Sequence, residues 1–361
     1  MLREQVFNFS AGPSIMPESA LLRAQKELLN WGSTGVSVME MSHRTPMFDE
    51  ILQGTKQKLR DILRIPDKYE ILLIQGGATL QFASIPMNLM DGGFADYAMT
   101  GNFSTKAARE AEKYGKVHIV CDTAPTGHDR IPTQSELKIS EGAKYFYYCS
   151  NNTAFGTEWN YVPETKAPIV CDMSSDILSK PIDVSKYGLI YAGAQKNMAP
   201  AGLTVVIIDR ALAGKELPIT PEVMSYETLI KTDSLLNTPP CWCIYMLGLV
   251  LDWLKEQGGV EGMEVIKKER AARVYDLLDN SSFYIPHAIP SGRSDMNITF
   301  RTPSEELDMA FVDEAAAHGL INLKGHKVAG GIRASLYNAM PMEGVDKLVS
   351  FMKEFEVKHR V

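Results

Sequence analysis

Short apolar runs recur along the first two thirds of the chain, at residues 70–74, 95–100, 117–121, 144–149, 168–172, 188–192 and 203–208. Most are rich in β-branched or aromatic residues and are bounded by glycine, proline, aspartate or other polar positions, which predicts buried strands. The intervening segments are mostly long enough to hold helices. That alternation predicts an α/β domain around a mostly parallel sheet. Pro17 opens a predicted helix to Asn30, with Ala20, Leu21, Ala24 and Leu28 on one face, and Thr45-Pro46 starts another to about Leu63. A long apolar helix follows Trp242 and closes at Gly258-Gly259, where we place a domain boundary. Beyond it the pattern changes to helix (262–279), strand (296–301), helix (304–318), a short strand (320–323), a glycine-rich loop and strand (324–336) and a final helix from about 341. Thr302-Pro303-Ser304-Glu305 supplies a capping box for the second of these helices. This remainder reads as a smaller α+β domain.

Composition narrows the function classes. A chain of 361 residues favours two domains, and none of its apolar runs approaches the roughly 20 residues that span a bilayer. The N-terminal residues carry no apolar secretion core, so a cytoplasmic location is expected. A net charge of −7 argues against nucleic acid or a membrane surface as partner, so any anionic ligand must be held by local cations. The five cysteines, at 121, 149, 171, 241 and 243, lie mostly in apolar runs and read as reduced, buried thiols. Cys241-Trp-Cys243 has no partner pair or histidine at zinc spacing, and no metal is expected.

The chemistry concentrates in Tyr191-Ala-Gly-Ala-Gln-Lys196-Asn-Met-Ala-Pro-Ala-Gly202, which sets one lysine among small residues between two strands. A lysine in a loop is ordinarily solvated, and Asp172, at the end of the 168–172 strand, serves equally well as a helix cap. Together they are more specific, because both would stand at one edge of the sheet, where open α/β sheets bind ligands. Pyridoxal phosphate chemistry needs a lysine amine for a Schiff base and an acid that keeps the pyridine nitrogen protonated, and Lys196 and Asp172 fit those roles. Gly76-Gly77-Ala78-Thr79 offers backbone N–H groups for a phosphate, although such a turn is also a common tight connection. No dinucleotide or P-loop fingerprint occurs. Phe103 would serve either as a ring-stacking aromatic or as plain core. His43-Arg44, His326-Lys327 and Arg333 are surface charge when taken singly, and together they suit a doubly anionic substrate.

Several longer strings resemble one family. They are Phe7-Asn-Phe-Ser-Ala-Gly-Pro13, Ser37-Val-Met-Glu-Met-Ser-His-Arg44, the 172–184 and 191–203 segments, Leu236-Asn-Thr-Pro-Pro240 and Leu323-Lys-Gly-His-Lys-Val-Ala-Gly-Gly-Ile-Arg-Ala-Ser335. They resemble the phosphoserine aminotransferases, class V aminotransferases of the pyridoxal-phosphate-dependent fold type I. The resemblance implies a large domain (15–258) with a mostly parallel, seven-stranded sheet, and a small α+β domain made of 1–14 and 259–361. It also implies a homodimer with active sites at the interface. By the same resemblance Lys196 is the Schiff-base lysine, Asp172 the partner of the ring nitrogen, Thr153 the partner of the ring hydroxyl and Phe103 the stacking aromatic. Ala78, Thr79, Ser174 and Gln195 would hold the cofactor phosphate, with Asn237 and Thr238 reaching in from the other subunit. Ser10, Arg44 and Arg333 would take a substrate carboxylate, and His43, Arg44, His326 and Lys327 a substrate phosphate.

The implied reaction is a ping-pong transamination between L-glutamate and 3-phosphonooxypyruvate, giving 2-oxoglutarate and O-phospho-L-serine for serine biosynthesis. A pyridoxine-pathway substrate is a further option. Another aminotransferase of the same fold, for instance of the alanine or serine–glyoxylate type, would share Lys196 and Asp172, whereas His326 and Lys327 favour a phosphorylated acid. A non-catalytic cofactor-binding protein would be expected to have lost the lysine or the aspartate. Some family members carry arginine where Thr79 and Lys327 stand, so the anion pockets here are expected to be less cationic.

Overall fold

The computed structural model describes residues 2–360. Its centre is a seven-stranded sheet formed by β1 (Tyr69–Gln75), β2 (Phe94–Met99), β3 (Lys116–Asp122), β4 (Phe146–Cys149), β5 (Ile169–Asp172), β6 (Leu189–Gly193) and β7 (Leu203–Asp209). The spatial order is β1-β7-β6-β5-β4-β2-β3. Strand β7 runs antiparallel to both its neighbours, and the remaining pairs are parallel.

These strands read as continuous apolar runs because helices cover both faces. Ile71, Leu73, Tyr148, Cys171, Ile190 and Val205 point into a core shared with helices Pro46–Leu63 and Cys241–Glu256. Their alternates Leu72, Ile74, Tyr147, Val170, Tyr191 and Val206 pack on the opposite side against helices Gln81–Leu89 and Asn102–Ala111. The two-residue period of a strand thus divides each run between two cores.

A third apolar cluster lies around the three-stranded antiparallel sheet of β8 (Ile285–Pro286), β9 (Asn297–Arg301) and β10 (Ile332–Ser335). Phe300, Phe311, Phe351 and Phe355 meet there in mostly edge-to-face contacts. Phe7 and Phe9 of the N-terminal arm join the same cluster, and Phe7–Asn8 pairs in parallel with Leu320–Ile321.

Element boundaries differ from the sequence expectation in two informative places. The first helix covers Glu18–Glu27 and stops short of Asn30, leaving Leu29 80% exposed with no apolar partner to extend the turn. The helix expected at 262–279 occupies Gly259–Asn280, because Gly258 takes a left-handed conformation (φ 87°) and the chain turns directly from one helix into the next. Val260 and Met263 in its first turns pack in the large core, and Ala271, Val274 and Leu278 in the small one. One rigid helix therefore ties the two cores together. All five cysteines are free, and among the described residues no helix is long and apolar enough to cross a membrane.

Candidate active site

The site collects at the carboxyl ends of β4, β5 and β6. In this register Cys149 stands beside Asp172, and Asp172 beside Tyr191. Asp172 is 4% exposed, and each carboxylate oxygen has one donor: the Ser174 N–H reaches Oδ1 at 2.9 Å and the Tyr191 hydroxyl reaches Oδ2 at 3.0 Å. An aspartate so held keeps unused lone pairs for a further donor. Tyr147 Oη lies 2.8 Å from Tyr191 Oη, and burial, with the Asp172 charge, pushes the Tyr191 phenol well above its usual range.

Lys196 lies in the turn that follows β6. Its amine donates to the Thr153 hydroxyl at 2.7 Å and stands 5.6 Å from the centroid of the Phe103 ring. The arm fixes this turn from outside: Ser14 N–H donates to the Gln195 carbonyl at 3.0 Å, and the Ser14 hydroxyl donates to the Lys196 carbonyl. Gly12 crosses over the lysine stem at φ +134°. A β-carbon there would come 3.3 Å from Lys196 Cγ, so the approach requires glycine. Ser10 Oγ accepts from the Gly12 N–H at 3.4 Å.

The Gly76-Gly77 turn leads into a 3-10 turn, Ala78–Leu80, before helix Gln81–Leu89. Gly193 packs against it so closely that a β-carbon would meet the Ala78 β-carbon at 3.2 Å, and the Gly193 N–H donates to Ser174 Oγ at 2.9 Å. Ala78, Ser174 and the turn holding Gln195 are thereby drawn to one corner, with Thr79 exposed at its rim. Backbone N–H groups at a helix start beside a serine hydroxyl form a phosphate cradle.

On the other side of Lys196, Arg333 of β10 donates to the Thr153 carbonyl at 3.4 Å, while its Nε is buried without a partner. An unpartnered buried guanidinium nitrogen is costly unless an incoming acceptor satisfies it. Burial also pushes this guanidinium below its ordinary pKa. The His326 ring sits 6.5 Å from Phe103, centroid to centroid, in an edge contact. Burial, then the charges of Arg333, Lys106 and Lys327, in that order, hold the His326 imidazole below its usual value.

The fold therefore brings together Lys196, Thr153, Phe103, His326, Lys327 and Arg333, and in the adjoining corner Asp172, Ser174, Gln195 and Ala78. It does not bring His43, Arg44, Asn237 or Thr238 into hydrogen bonds or ion pairs with them within one chain. His43 Nε2 is buried without a partner, and the side chains of Arg44, Asn237 and Thr238 are exposed. Asn237 lines a separate small cavity with Gln75 and Leu80, residues on either side of the Gly76-Gly77 turn. Two residues escaped the sequence reading. Tyr191 reads only as a strand residue until register sets it beside Asp172, and Lys106 gave one signal, its position a helical turn after Phe103.

This donor set fits pyridoxal phosphate: a lysine amine with a hydroxyl beside it, a buried carboxylate with spare acceptor capacity, an aromatic ring and an N–H cradle. The family comparison agrees. The sequence model of the family described as "Aminotransferase class-V" matches residues 6–348. A phosphoserine aminotransferase of Bacillus cereus is 49% identical over 359 residues, covering 99% of this chain and 100% of its own. The structure of a phosphoserine aminotransferase from Bacillus circulans subsp. alkalophilus superposes with a TM-score of 0.96 at 42% identity, covering 98% of this chain and 99% of that one. A pyridoxal-phosphate-bound phosphoserine aminotransferase from Trichomonas vaginalis gives 0.93 at 39% identity, covering 96% and 99%. A polar cluster of this composition, on a sheet of this order, in a chain alike from arm to last helix, belongs to the class-V aminotransferases and, within them, to the phosphoserine aminotransferase family.

Proposed function

We propose that this enzyme transfers the amino group of L-glutamate to 3-phosphonooxypyruvate, forming O-phospho-L-serine and 2-oxoglutarate. The observation that carries this reading is the Lys196 amine, hydrogen-bonded to the Thr153 hydroxyl while Arg333 donates to the Thr153 carbonyl, with buried Asp172 at the end of the strand beside the one that leads into Lys196. When bound, pyridoxal phosphate supplies an aldehyde for the amino group and a ring that withdraws electrons from the substrate Cα. Ala78, Thr79, Ser174 and Gln195 hold its phosphate, Phe103 limits the tilt of its ring, and Asp172 keeps the proton on its ring nitrogen. Lys196 Nζ would take the Cα proton and return one at the other end of the exchange, from the same side, as general base and then acid. Thr153 orients that amine. Arg333 binds the substrate carboxylate in a fork geometry, and His326 with Lys327 binds the phosphate.

His43, Arg44, Asn237 and Thr238 are supplied across a homodimer interface in this reading, which accounts for their lack of intrachain partners. In this reading the large domain (15–258) carries the two cores on the faces of the seven-stranded sheet and the small domain (1–14 and 259–361) the C-terminal core, with helix Gly259–Asn280 contributing side chains to both domains. A cytoplasmic enzyme of amino-acid biosynthesis fits this chemistry. The test is a coupled assay with O-phospho-L-serine and 2-oxoglutarate, repeated with phosphorylated and unphosphorylated hydroxypyruvate in the other direction. A strong preference for the phosphorylated acid is expected. Equal turnover of the two would sink the substrate assignment.

A further inference from the structure

We propose that Lys106 is a substrate-binding residue that supplies positive charge to the substrate phosphate, alongside His326 and Lys327. This rests on the phosphorylated-substrate reading above and deepens it.

Lys106 lies on helix Asn102–Ala111, three residues beyond Phe103, and the helical repeat returns it to the Phe103 side. Its ammonium stands 5.8 Å from the Phe103 ring centroid, next to the 5.6 Å of Lys196, so two ammonium groups attend one ring. The same ring touches His326 edge-on. Lys106 also lines a surface hollow with Thr79, Leu80, Arg109, Glu110 and Lys113. Burial first, then the charges of Arg333, Lys106 and Lys327, hold the His326 imidazole below its usual value, so Lys106 is close enough to act on the same ring.

What makes Lys106 a binding group is the absence of a counter-charge. Glu110, four residues on, would be its natural helical partner. Instead Glu110 is bound to Lys113 at 2.7 Å and touches the Tyr114 hydroxyl at 3.5 Å. Among the described residues no carboxylate lies within ion-pairing distance of Lys106, Lys196, His326, Lys327 or Arg333, in a protein whose net charge is −7. A group of unpaired cations in an acidic protein is a local well for an anion. An ammonium suits this place because it acts as a flexible point charge and demands no fixed fork geometry.

The experiment uses the holoenzyme of wild type, Lys106→Ala and Lys106→Arg. For Lys106→Ala, KM for O-phospho-L-serine should rise about tenfold, with kcat and the KM values for L-glutamate and 2-oxoglutarate within about twofold. Lys106→Arg should recover most of the loss, and the Lys106→Ala penalty should shrink as salt is added. Titration of the apoenzyme with pyridoxal phosphate should give unchanged affinity. A drop in cofactor affinity would instead assign Lys106 to the cofactor phosphate and overturn the inference. So would an unaltered KM for phosphoserine, or an equal rise for glutamate. If the wild type itself fails to turn over phosphoserine, the substrate reading falls and this inference with it. If the wild type is competent and Lys106→Ala matches it, only the inference falls.

Discussion

Two groups of charged side chains flank the turn after Asp172, and they are built on opposite principles. In the first, Glu158, Asp176 and Asp295 surround Lys180 and Lys267, with Lys180 2.5 Å from Glu158 and Lys267 3.7 Å from Glu158 and 3.4 Å from Asp295. Burial pushes the Glu158 carboxyl up, but Lys180 and Lys267 outweigh it and hold it below its ordinary value. Asp176 accepts the Ser150 hydroxyl at 2.5 Å, and the Ser150 N–H donates to the Asp172 carbonyl at 3.0 Å. Lys267 comes from the helix that spans the two cores, so this cluster pins the small core to the strand end bearing Asp172. The second group is Lys106, Lys196, His326, Lys327 and Arg333, none of which has a carboxylate within ion-pairing distance among the described residues. Charges paired within the fold have spent their attraction on it, and charges left unpaired keep theirs for a ligand. Proximity to Lys196 does not by itself assign a charge to chemistry.

Mutations should separate the two groups cleanly. The largest effect is expected at Lys196: Lys196→Ala should lower kcat by at least about 10³-fold while leaving the melting transition close to wild type. A variant retaining a tenth of the rate would show that another group moves the proton. Next comes Lys267→Met, which leaves Glu158 and Asp295 short of a buried counter-ion and should cost about 3–5 kcal/mol in denaturant unfolding. Were stability unchanged and activity lost, the comparison would be inverted, with Lys267 belonging to the working group.

The smallest effect concerns pH. Burial, reinforced by Glu158 and opposed by Lys180, pushes the Asp176 carboxyl up to about 6. A raised carboxyl pKa means that the unfolded chain releases this proton first as pH rises. The wild type should therefore lose stability relative to Asp176→Asn between about pH 4 and 6, by on the order of 1.4 kcal/mol per pH unit, with the difference constant above that range. Unfolding free energies of both proteins at several pH values test the sign. A flat difference would mean that Asp176 keeps an ordinary carboxyl pKa in the folded chain.

How far the sequence reaches can be judged residue by residue. The apolar runs gave the strands of the large sheet because burial on both faces leaves little room for polar residues, and a run such as Leu203–Asp209 has few other uses. Lys196 and Asp172 were legible because strand ends in such sheets share an edge. Helix ends were less so: Gly258-Gly259 was legible as the stop of helix Cys241–Glu256, but the next helix starts at Gly259 and not at 262, and the first ends before Leu29. The arm is a different case: the residues alone do not say which core takes Phe7 and Phe9, and it was the family resemblance that put 1–14 with the C-terminal domain, whose core both side chains join.

The sequence by itself determined the alternation of strand and helix, the lysine and aspartate at their strand ends, and the strings that mark the family, all of which are local patterns or identities along the chain. Tertiary structure alone decided which charges are paired. Glu110 bound to Lys113 and Lys106 left open, Lys267 brought to Glu158 and Tyr191 set beside Asp172 depend on distances between side chains. Electrostatic energy varies with separation and burial, neither of which is written in residue type or spacing.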